Sequence, residues 1–333
     1  MSAARRILPL FIPHLGCPHA CVFCDQKRIS GAKMPVTAAE ITAALEALRP
    51  EERGIELAFY GGSFTALPIS LQRELLGAVQ PFRENGTVSS IRLSTRPDAV
   101  FDGIPELLAA FGVETVELGA QSMCDEVLER CGRGHRAEDT VRASALLRQR
   151  GFHLILQMMT GLPGTTPEMD ILTARQLAAL HPDGVRIYPT VILRDTQLCE
   201  LWRSGAYREH TVEDAVCVCA AILPIFDEAG IRVIRLGLNP SEELSGGAAV
   251  GGAYHPALGE LVRSRVFRNR AEALLSAADR DADAVFAVSP GCVSQAVGQH
   301  RCNLLYLCEK FSLRSLKFLP QDSVPAGELR RMQ

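Results

Sequence analysis

Strand-like and helix-like segments alternate along most of the chain, and this alternation limits the folds available to it. The strand-like run at residues 56–60, for example, is followed by helical periodicity at residues 69–79. Thr37 and Glu40 have the spacing of a capping box and predict the start of the first helix. Six strand–helix units precede a final strand near residues 231–236. The pattern predicts a parallel sheet covered by helices, either open or rolled into a barrel.

Three of the eleven cysteines, Cys17, Cys21 and Cys24, follow the first predicted strand with the spacing C-x3-C-x2-C. Three thiolates at this spacing can hold three irons of a cubane cluster and leave the fourth iron without a protein ligand. Zinc is the alternative, but it usually takes four protein ligands, and the chain has no second C-x2-C pair. A disulfide framework is typical of short secreted chains, whereas this chain is long, starts with no signal peptide and has an odd number of cysteines. The cysteines therefore indicate a reducing compartment, the cytoplasm.

Charge and hydropathy argue against a general nucleic-acid-binding protein and against a membrane-spanning one. The net charge of −3 gives no sign of general nucleic-acid binding, so an RNA partner would be held by a local patch. No apolar run approaches the roughly 18 residues that a membrane-spanning helix needs. We therefore expect a cytoplasmic protein with no membrane partner.

Unusual residue clusters follow the predicted strands. In parallel barrels the reactive groups lie where strands end, because the loops at that end face a common mouth. The cysteine loop follows the first strand, and the clusters after the next five strands are residues 61–65, 94–97, 119–122, 158–164 and 188–190. Any one of them fits an ordinary turn, but together they predict a single site at one rim.

The cysteine loop, with Phe23 before its last cysteine and Gly61-Gly62 after the second strand, resembles the radical S-adenosylmethionine (SAM) superfamily. Over about residues 5–237 the chain also resembles the radical domain of the Elongator catalytic subunit, which modifies the wobble uridine of tRNA. The matching stretches are residues 60–64, 95–98, 116–122, 133–135, 161–164 and 186–190. The resemblance implies a partial (β/α)6 TIM-like barrel, a [4Fe–4S] cluster, S-adenosylmethionine, an external electron donor, and reductive cleavage of SAM to a deoxyadenosyl radical.

The Elongator subunit differs from this chain in two respects. It carries an acetyltransferase domain that this chain is too short to contain, and its cluster loop has a different first spacing. We therefore expect a related radical step on a different donor, or a partner, rather than the same overall reaction.

The resemblance also assigns site residues. The cluster ligands would be Cys17, Cys21 and Cys24, and the cofactor contacts would be Phe23, Gly61, Gly62, Ser63, Ser94, Gln121 and Arg133. Arg133 would bond the methionine carboxylate with its planar fork, the alternative being a solvated charge at a helix end. Ser94 stands where many relatives carry a cofactor-binding Glu. Tyr188 is the candidate to touch the substrate or the radical, and ordinary packing is its alternative.

The last eighty residues follow a different pattern. We expect a barrel domain over residues 1–240, a glycine-rich linker over 241–254 and a small α+β domain over 255–333. The order strand, short helix, tight turn, helix, strand resembles a K-homology unit, whose G-x-x-G turn clamps the backbone of single-stranded RNA. Here the turn consists of Gly298, Gln299, His300 and Arg301, with arginine in place of the second glycine. The alternative is a cap that closes the barrel or forms a dimer.

Three hypotheses remain from the sequence. The first is a radical enzyme that acts on RNA, most simply a tRNA base. The second is a radical enzyme that acts on a small molecule such as a porphyrinogen. The third is a protein whose cluster senses oxygen or iron, and the predicted cofactor pocket argues against it.

Overall fold

A computed structural model of the chain describes residues 6–26, 29, 34–240 and 244–332. The strands are β1 (Ile7–Phe11), β2 (Ile55–Tyr60), β3 (Val88–Thr95), β4 (Val113–Gln121), β5 (His153–Thr160), β6 (Gly184–Pro189), β7 (Val191–Leu193), β8 (Arg232–Leu236), β9 (Ala249–Gly252), β10 (Asp283–Val288), β11 (Ser315–Pro320) and β12 (Leu329–Arg331). The α-helices are α1 (Ala38–Glu46), α2 (Ile69–Gly77), α3 (Gln80–Glu84), α4 (Ile104–Ala110), α5 (Asp125–Arg130), α6 (Ala137–Gln149), α7 (Pro167–Ala179), α8 (Gln197–Arg203), α9 (Val212–Glu228), α10 (Leu258–Ala273), α11 (Val293–Val297) and α12 (Cys302–Phe311).

Seven strands form one sheet in the order β1-β2-β3-β4-β5-β6-β8, and every neighbouring pair is parallel. This confirms the predicted parallel α/β sheet. The predicted capping box is also present, because Thr37 accepts from the backbone N–H of Glu40 and Glu40 accepts from that of Thr37. These two hydrogen bonds satisfy donors that the first turn of α1 would otherwise leave unpaired.

The two faces of the sheet differ in polarity. On β2, Leu57 and Phe59 are fully buried in the hydrophobic core beneath the helices, while the alternate residue Tyr60 faces the inside of the curve. On β4, Val116 and Leu118 are buried in the same core, and Glu117 faces inward. Successive strand residues point to opposite faces, so polar residues at every second position place polar groups inside. The interior is therefore an open cavity with polar side chains in its wall rather than the packed apolar layers of a closed barrel.

One contact shows that the sheet is curled. Tyr60 on β2 and Arg186 on β6 are joined by a hydrogen bond of 3.3 Å from Arg186 Nη2 to the Tyr60 hydroxyl. Their strands are four spacings apart, about 19 Å on a flat sheet. Side chains of a flat sheet stand side by side and could not meet across that distance. The sheet is thus a partial barrel, as the resemblance implied.

The structure adds elements that the sequence pattern did not predict, β7, α8 and β9 among them. Strand β9 lies inside the predicted glycine-rich linker and pairs antiparallel with β7. A β-carbon on Gly252, whose φ is +81°, would stand 2.7 Å from the carbonyl oxygen of Thr190, so this close approach requires glycine. Residues 249–252 are thus a paired strand in this structure, while the proposed domain boundaries stay a prediction.

Helix α10 packs against two hydrophobic cores. Leu258, Val262 and Val266 belong to the barrel core, whereas Phe267 and Ala271 belong to a second core formed by the C-terminal elements. One helix therefore ties the C-terminal unit to the barrel.

The C-terminal unit contains β10, α11, a turn, α12 and β11, which is the order predicted from the sequence. Strand β10 pairs parallel with β11 and antiparallel with β12, a third strand that the sequence pattern did not predict. The rings of Phe286 and Phe318 stack in its core with centroids 5.8 Å apart. Its likeness to a K-homology unit stays a prediction. Among the described residues, no helix is long and apolar enough to cross a membrane.

Candidate active site

A cavity of about 920 Å³ occupies the curve of the sheet and the loops at the carboxyl ends of its strands. All the residues predicted to bind the cluster or the cofactor line it, and Tyr188 does so as well. These residues are Cys17, Cys21, Phe23, Cys24, Gly61, Gly62, Ser63, Ser94, Gln121, Arg133 and Tyr188. The turn at residues 298–301 lies elsewhere, on the C-terminal unit. The structure brings the predicted cofactor residues to one place, while their individual roles stay predictions.

Each thiol of the cysteine loop has a polar neighbour. Cys17 Sγ lies 3.4 Å from the hydroxyl of Ser63, Arg133 Nη1 lies 3.6 Å from Cys21 Sγ, and Gln26 Nε2 lies 3.4 Å from Cys24 Sγ. Hydrogen-bond donors around sulfur stabilise thiolate ligands and tune the reduction potential of a cluster. The surroundings of all three thiols therefore suit metal-bound sulfur.

The Cys24 thiol is protonated when no metal holds it. Burial raises the pKa of Cys24 to about 12, and the neighbouring Cys21 adds to the rise. A metal ligand must lose this proton, so cluster binding releases protons from the loop. Within the described residues, no three metal-binding side chains converge on one point.

Gly61 and Gly62 are required by the backbone around them. Gly61 has a φ of +89°, a left-handed conformation that side chains disfavour. A β-carbon on Gly62 would stand 2.4 Å from the carbonyl oxygen of Ile12 and 2.5 Å from that of Leu15. Gly62 therefore lets the end of β2 approach the segment that leads into the cysteine loop. This steric requirement for glycine is independent of the prediction that the Gly61-Gly62 backbone contacts the cofactor.

Arg133 is buried in the wall of the cavity, which removes the alternative of a solvated charge at a helix end. Its Nη2 donates to the carbonyl oxygen of Gly119 at 2.7 Å, and its buried Nε has no hydrogen-bond partner among the described residues. Arg96 fixes the segment by donating to the carbonyl oxygen of Arg133 at 2.6 Å. A buried guanidinium with an unused donor suits a carboxylate ligand.

Gln121 lies beside Arg133, where the ladder between β4 and β5 is interrupted by a bulge. Its φ of +65° is left-handed, which costs about 1 kcal/mol or more for a residue with a side chain. A β-carbon on Gly119 would stand 2.7 Å from Arg133 Nη2 and 2.9 Å from Gln121 Nε2. The bulge and the glycine thus re-aim Gln121 and leave room for both side chains.

Sequence reasoning missed a charged network on the inner face of the barrel. Glu117 is 3% exposed and accepts hydrogen bonds from Arg92 at 2.9 Å, Arg186 at 2.9 Å and the Tyr60 hydroxyl at 3.1 Å. Arg92 also donates to Glu56 at 3.0 Å. The strand patterns Glu56-x-Ala-x-Tyr60 and Thr-x-Glu117-x-Gly-x-Gln carried the signal, because all their polar residues fall on alternate positions and so share one face of the strand.

Two phenols stand at this network. Burial raises the pKa of Tyr60, and the nearby Glu117 carboxylate adds to the rise. Burial also raises the pKa of Tyr188, against the lowering influence of Arg186. Both phenols stay protonated at neutral pH. Tyr60 gives its proton to Glu117, whereas the Tyr188 hydroxyl accepts from Arg186 and can donate its own proton into the cavity.

The profile of the Radical SAM superfamily matches residues 11–177, and that of the Radical SAM C-terminal domain matches residues 182–268. A tRNA uridine(34) acetyltransferase from Methanocaldococcus infernus is 30% identical over 228 residues, which cover 62% of this chain and 42% of the relative. Elongator complex protein 3 from Mus musculus is 30% identical over 191 residues, covering 51% and 35%. The chain thus spans less than half the length of these curated relatives.

Solved structures agree on the fold. An archaeal Elp3 from Methanocaldococcus infernus, with an N-terminal deletion, has a TM-score of 0.63 and 24% identity over 81% of this chain and 64% of that chain. Coproporphyrinogen III oxidase from Escherichia coli has a TM-score of 0.52 and 19% identity over 68% and 53%.

The fold, the cysteine loop and the profile matches define a radical enzyme of the partial-barrel type. The chain belongs to the radical SAM superfamily, whose enzymes use a [4Fe–4S] cluster and S-adenosylmethionine. The sensor hypothesis is thereby replaced by that of an enzyme.

Proposed function

We propose that this radical SAM enzyme modifies a base of transfer RNA. One observation carries the proposal: the cysteine loop and the polar interior of the barrel share a single cavity of about 920 Å³. Ligand sites usually measure about 300–1,000 Å³, so this cavity lies at the upper end of the range and can take a second molecule beside a cofactor. The relatives described as tRNA uridine(34) acetyltransferases support tRNA as that second molecule.

In this proposal, the end of the cavity beside the cysteine loop binds the cluster and SAM. When bound, the cluster and SAM supply a deoxyadenosyl radical by reductive cleavage, with electrons from an external donor. Cys17, Cys21 and Cys24 would ligate the cluster. Arg133 would bind the methionine carboxylate through its fork, because its Nε is buried and unpaired among the described residues.

The proposal includes further contacts with SAM from backbone and side chains at the same end of the cavity. The backbone of Gly61 and Gly62 would meet the methionine ammonium, and Gln121 would contact the ribose. Phe23, Ser63 and Ser94 line the same end, where Phe23 also packs against two apolar clusters.

The inner end of the cavity would hold the target. Glu117 fixes Arg186 and Tyr60 through hydrogen bonds of 2.9 and 3.1 Å, so these side chains are oriented before any substrate arrives. Preorganised polar groups hold a substrate in one geometry at little entropic cost. Tyr188, whose hydroxyl lies 3.5 Å from Arg186 Nη1, is the candidate to contact the target or to exchange a hydrogen atom with it.

The turn on the C-terminal unit supports an RNA partner. His300 and Arg301 have left-handed φ values of +50° and +63° and are exposed, so both side chains stand out in solvent at the start of α12. Asn303 anchors the turn by donating to the carbonyl oxygens of Ser264 at 2.9 Å and Ala296 at 3.0 Å. A rigid, exposed turn with a cation suits contact with an RNA phosphate.

Binding of unmodified tRNA tests the turn. Arg301→Ala should weaken binding a few-fold and reduce the slope of log affinity against log salt by about 1, since one phosphate contact is lost. Arg280→Ala, a change of the same charge at an exposed site of the same unit, is the control. Equal behaviour of the two variants would exclude the turn from RNA contact.

Nucleoside profiles test the function itself. Purified tRNA from a deletion strain should lack one modified nucleoside that is present in the parent strain and restored by the wild-type gene. A restoring gene with Cys24→Ser should fail. An unchanged profile would instead favour a small-molecule substrate. The proposal also places the enzyme in the cytoplasm, where tRNA is modified and free thiols stay reduced.

A further inference from the structure

Arg235 lies at the inner end of the cavity, beside Arg186. The two residues face each other in the register between β6 and β8, and both line the cavity. Like charges directly opposite one another on neighbouring strands destabilise a sheet unless other groups offset them. The energetic cost of placing Arg186 opposite Arg235 therefore depends on the charged groups around the pair.

The carboxylates of the inner face are already engaged. Glu117 pairs with Arg186 and Arg92, and Glu56 pairs with Arg92. Two carboxylates thus balance two guanidiniums. The side chain of Arg235 makes no hydrogen bond or ion pair with the residues that the structure describes, so its positive charge at the cavity wall has no carboxylate partner among them.

A second donor lies next to this charge. The Tyr188 hydroxyl accepts from Arg186 Nη1 at 3.5 Å, so its own proton is available to a ligand. The positive charge of Arg235 is close enough to act on the Tyr188 phenol. Apolar side chains from the two edge strands line the same cavity: Ile7, Pro9, Phe11 and Ile234.

We propose that Arg235 and Tyr188 bind an oxyanion of the substrate, a phosphate or a carboxylate, while the apolar edge-strand side chains hold the organic body attached to it. The inference rests on the proposed function and deepens it. On an RNA substrate the oxyanion is the phosphate beside the target base, and on a small co-substrate it is a carboxylate. Cation-assisted hydrogen bonds in a partly desolvated site make either group a good ligand.

Ligand binding to the reconstituted holoenzyme tests this site. Three ligands are compared at constant ionic strength: uridine, uridine 5′-monophosphate and propionate. At least one anion should bind, and Arg235→Gln should weaken that binding by about tenfold or more. Arg235→Lys should keep part of the affinity, and the affinity for uridine should not change. Arg232→Gln, at an exposed position on the same strand, is the matched control.

The outcomes of this experiment decide whether the site binds an anion and which anion it binds. Dependence on Arg235 for the nucleotide alone identifies a phosphate, and dependence for propionate alone identifies a carboxylate. If neither anion binds the wild type, or if Arg235→Gln and Arg232→Gln bind the anions equally, the site is overturned. The proposed function fails separately, by an unchanged tRNA nucleoside profile, because binding of these ligands requires no RNA.

Discussion

Glu117 on β4 and Arg186 on β6 form a two-point ion pair, with both Arg186 Nε and Nη2 lying 2.9 Å from carboxylate oxygens of Glu117. Strand β5 lies between their strands, so the pair bridges two strand spacings across the concave face. This geometry holds the curvature of the sheet and the substrate end of the cavity together.

Removal of the Glu117 charge should destabilise the barrel. In Glu117→Gln, Arg92 and Arg186 lose their shared carboxylate, and breaking such a buried arrangement costs on the order of 3 kcal/mol in the free energy of unfolding. Urea denaturation of the cluster-free chain measures the change. Glu106→Gln removes a carboxylate that pairs with Arg150 on the exposed surface and should change stability by less than about 1 kcal/mol. Similar losses in both variants would contradict a structural role for Glu117.

Each cysteine of the loop should be required for the cluster. Cys17→Ser, Cys21→Ser and Cys24→Ser should each lower iron from about four atoms per chain to well below one, since two thiolates remain for a cubane cluster. Iron analysis and the visible spectrum after anaerobic reconstitution measure the loss. Cys217→Ser, at an exposed position on α9, should keep full iron content. Full iron content in any of the three loop variants would remove that cysteine from the ligand set.

Arg133 should contribute chiefly to SAM affinity, in addition to its contact with Cys21 Sγ. Arg133→Ala should weaken SAM binding by roughly 10- to 100-fold, as expected for a hydrogen-bonded charge worth about 1.5–3 kcal/mol. Equilibrium dialysis under anaerobic conditions measures this, with iron content checked in parallel. Arg136→Ala removes an exposed charge three residues later and should leave SAM affinity unchanged. Wild-type affinity in Arg133→Ala would assign the methionine carboxylate to another group.

Gly62→Ala should displace the segment before the cysteine loop. Its β-carbon would stand 2.4 and 2.5 Å from two backbone carbonyl oxygens, which cannot move as a side chain can. Overpacking of this kind costs about 1–3 kcal/mol and should lower both the melting temperature and the cluster content. Gly77→Ala has open space around it and should be neutral or slightly stabilising. A Gly62→Ala enzyme with normal stability and iron would show that the loop can shift without cost.

Asp170 should make stability depend on pH. Burial raises the pKa of Asp170 to about 7, although it accepts hydrogen bonds from the Gly161 backbone N–H and the Thr165 hydroxyl. The unfolded carboxyl titrates near 4, so between about pH 4 and 7 the folded state binds more protons and stability falls as pH rises.

The variant Asp170→Asn should lack this dependence. The free energy of unfolding of the variant minus that of the wild type should increase by at most about 4 kcal/mol between pH 4 and about 7. Above about pH 7 this difference should stay constant. Urea titrations at several pH values measure the difference between the two proteins, which cancels the contributions of the other groups. A difference that is constant with pH would contradict the raised pKa.

The sequence alone determined the features that depend on local pattern. Alternating apolar runs and helical periodicity predicted the parallel sheet, and the Thr37–Glu40 spacing predicted the first cap. The cysteine spacing, with the motifs at the strand ends, predicted the cofactor site, because parallel strands bring their carboxyl ends to one edge.

Only the tertiary structure decided the features that depend on the curvature of the sheet and on contacts between segments far apart in the sequence. The charged network joins Glu56, Arg92, Glu117 and Arg186 from four strands, and no sequence spacing reports that their side chains meet. Gly62 and Gly252 are required by backbone that approaches them from distant segments. Whether the inside of the barrel is packed or polar follows from the curl of the whole sheet, which turns a row of polar residues at every second position into one cavity.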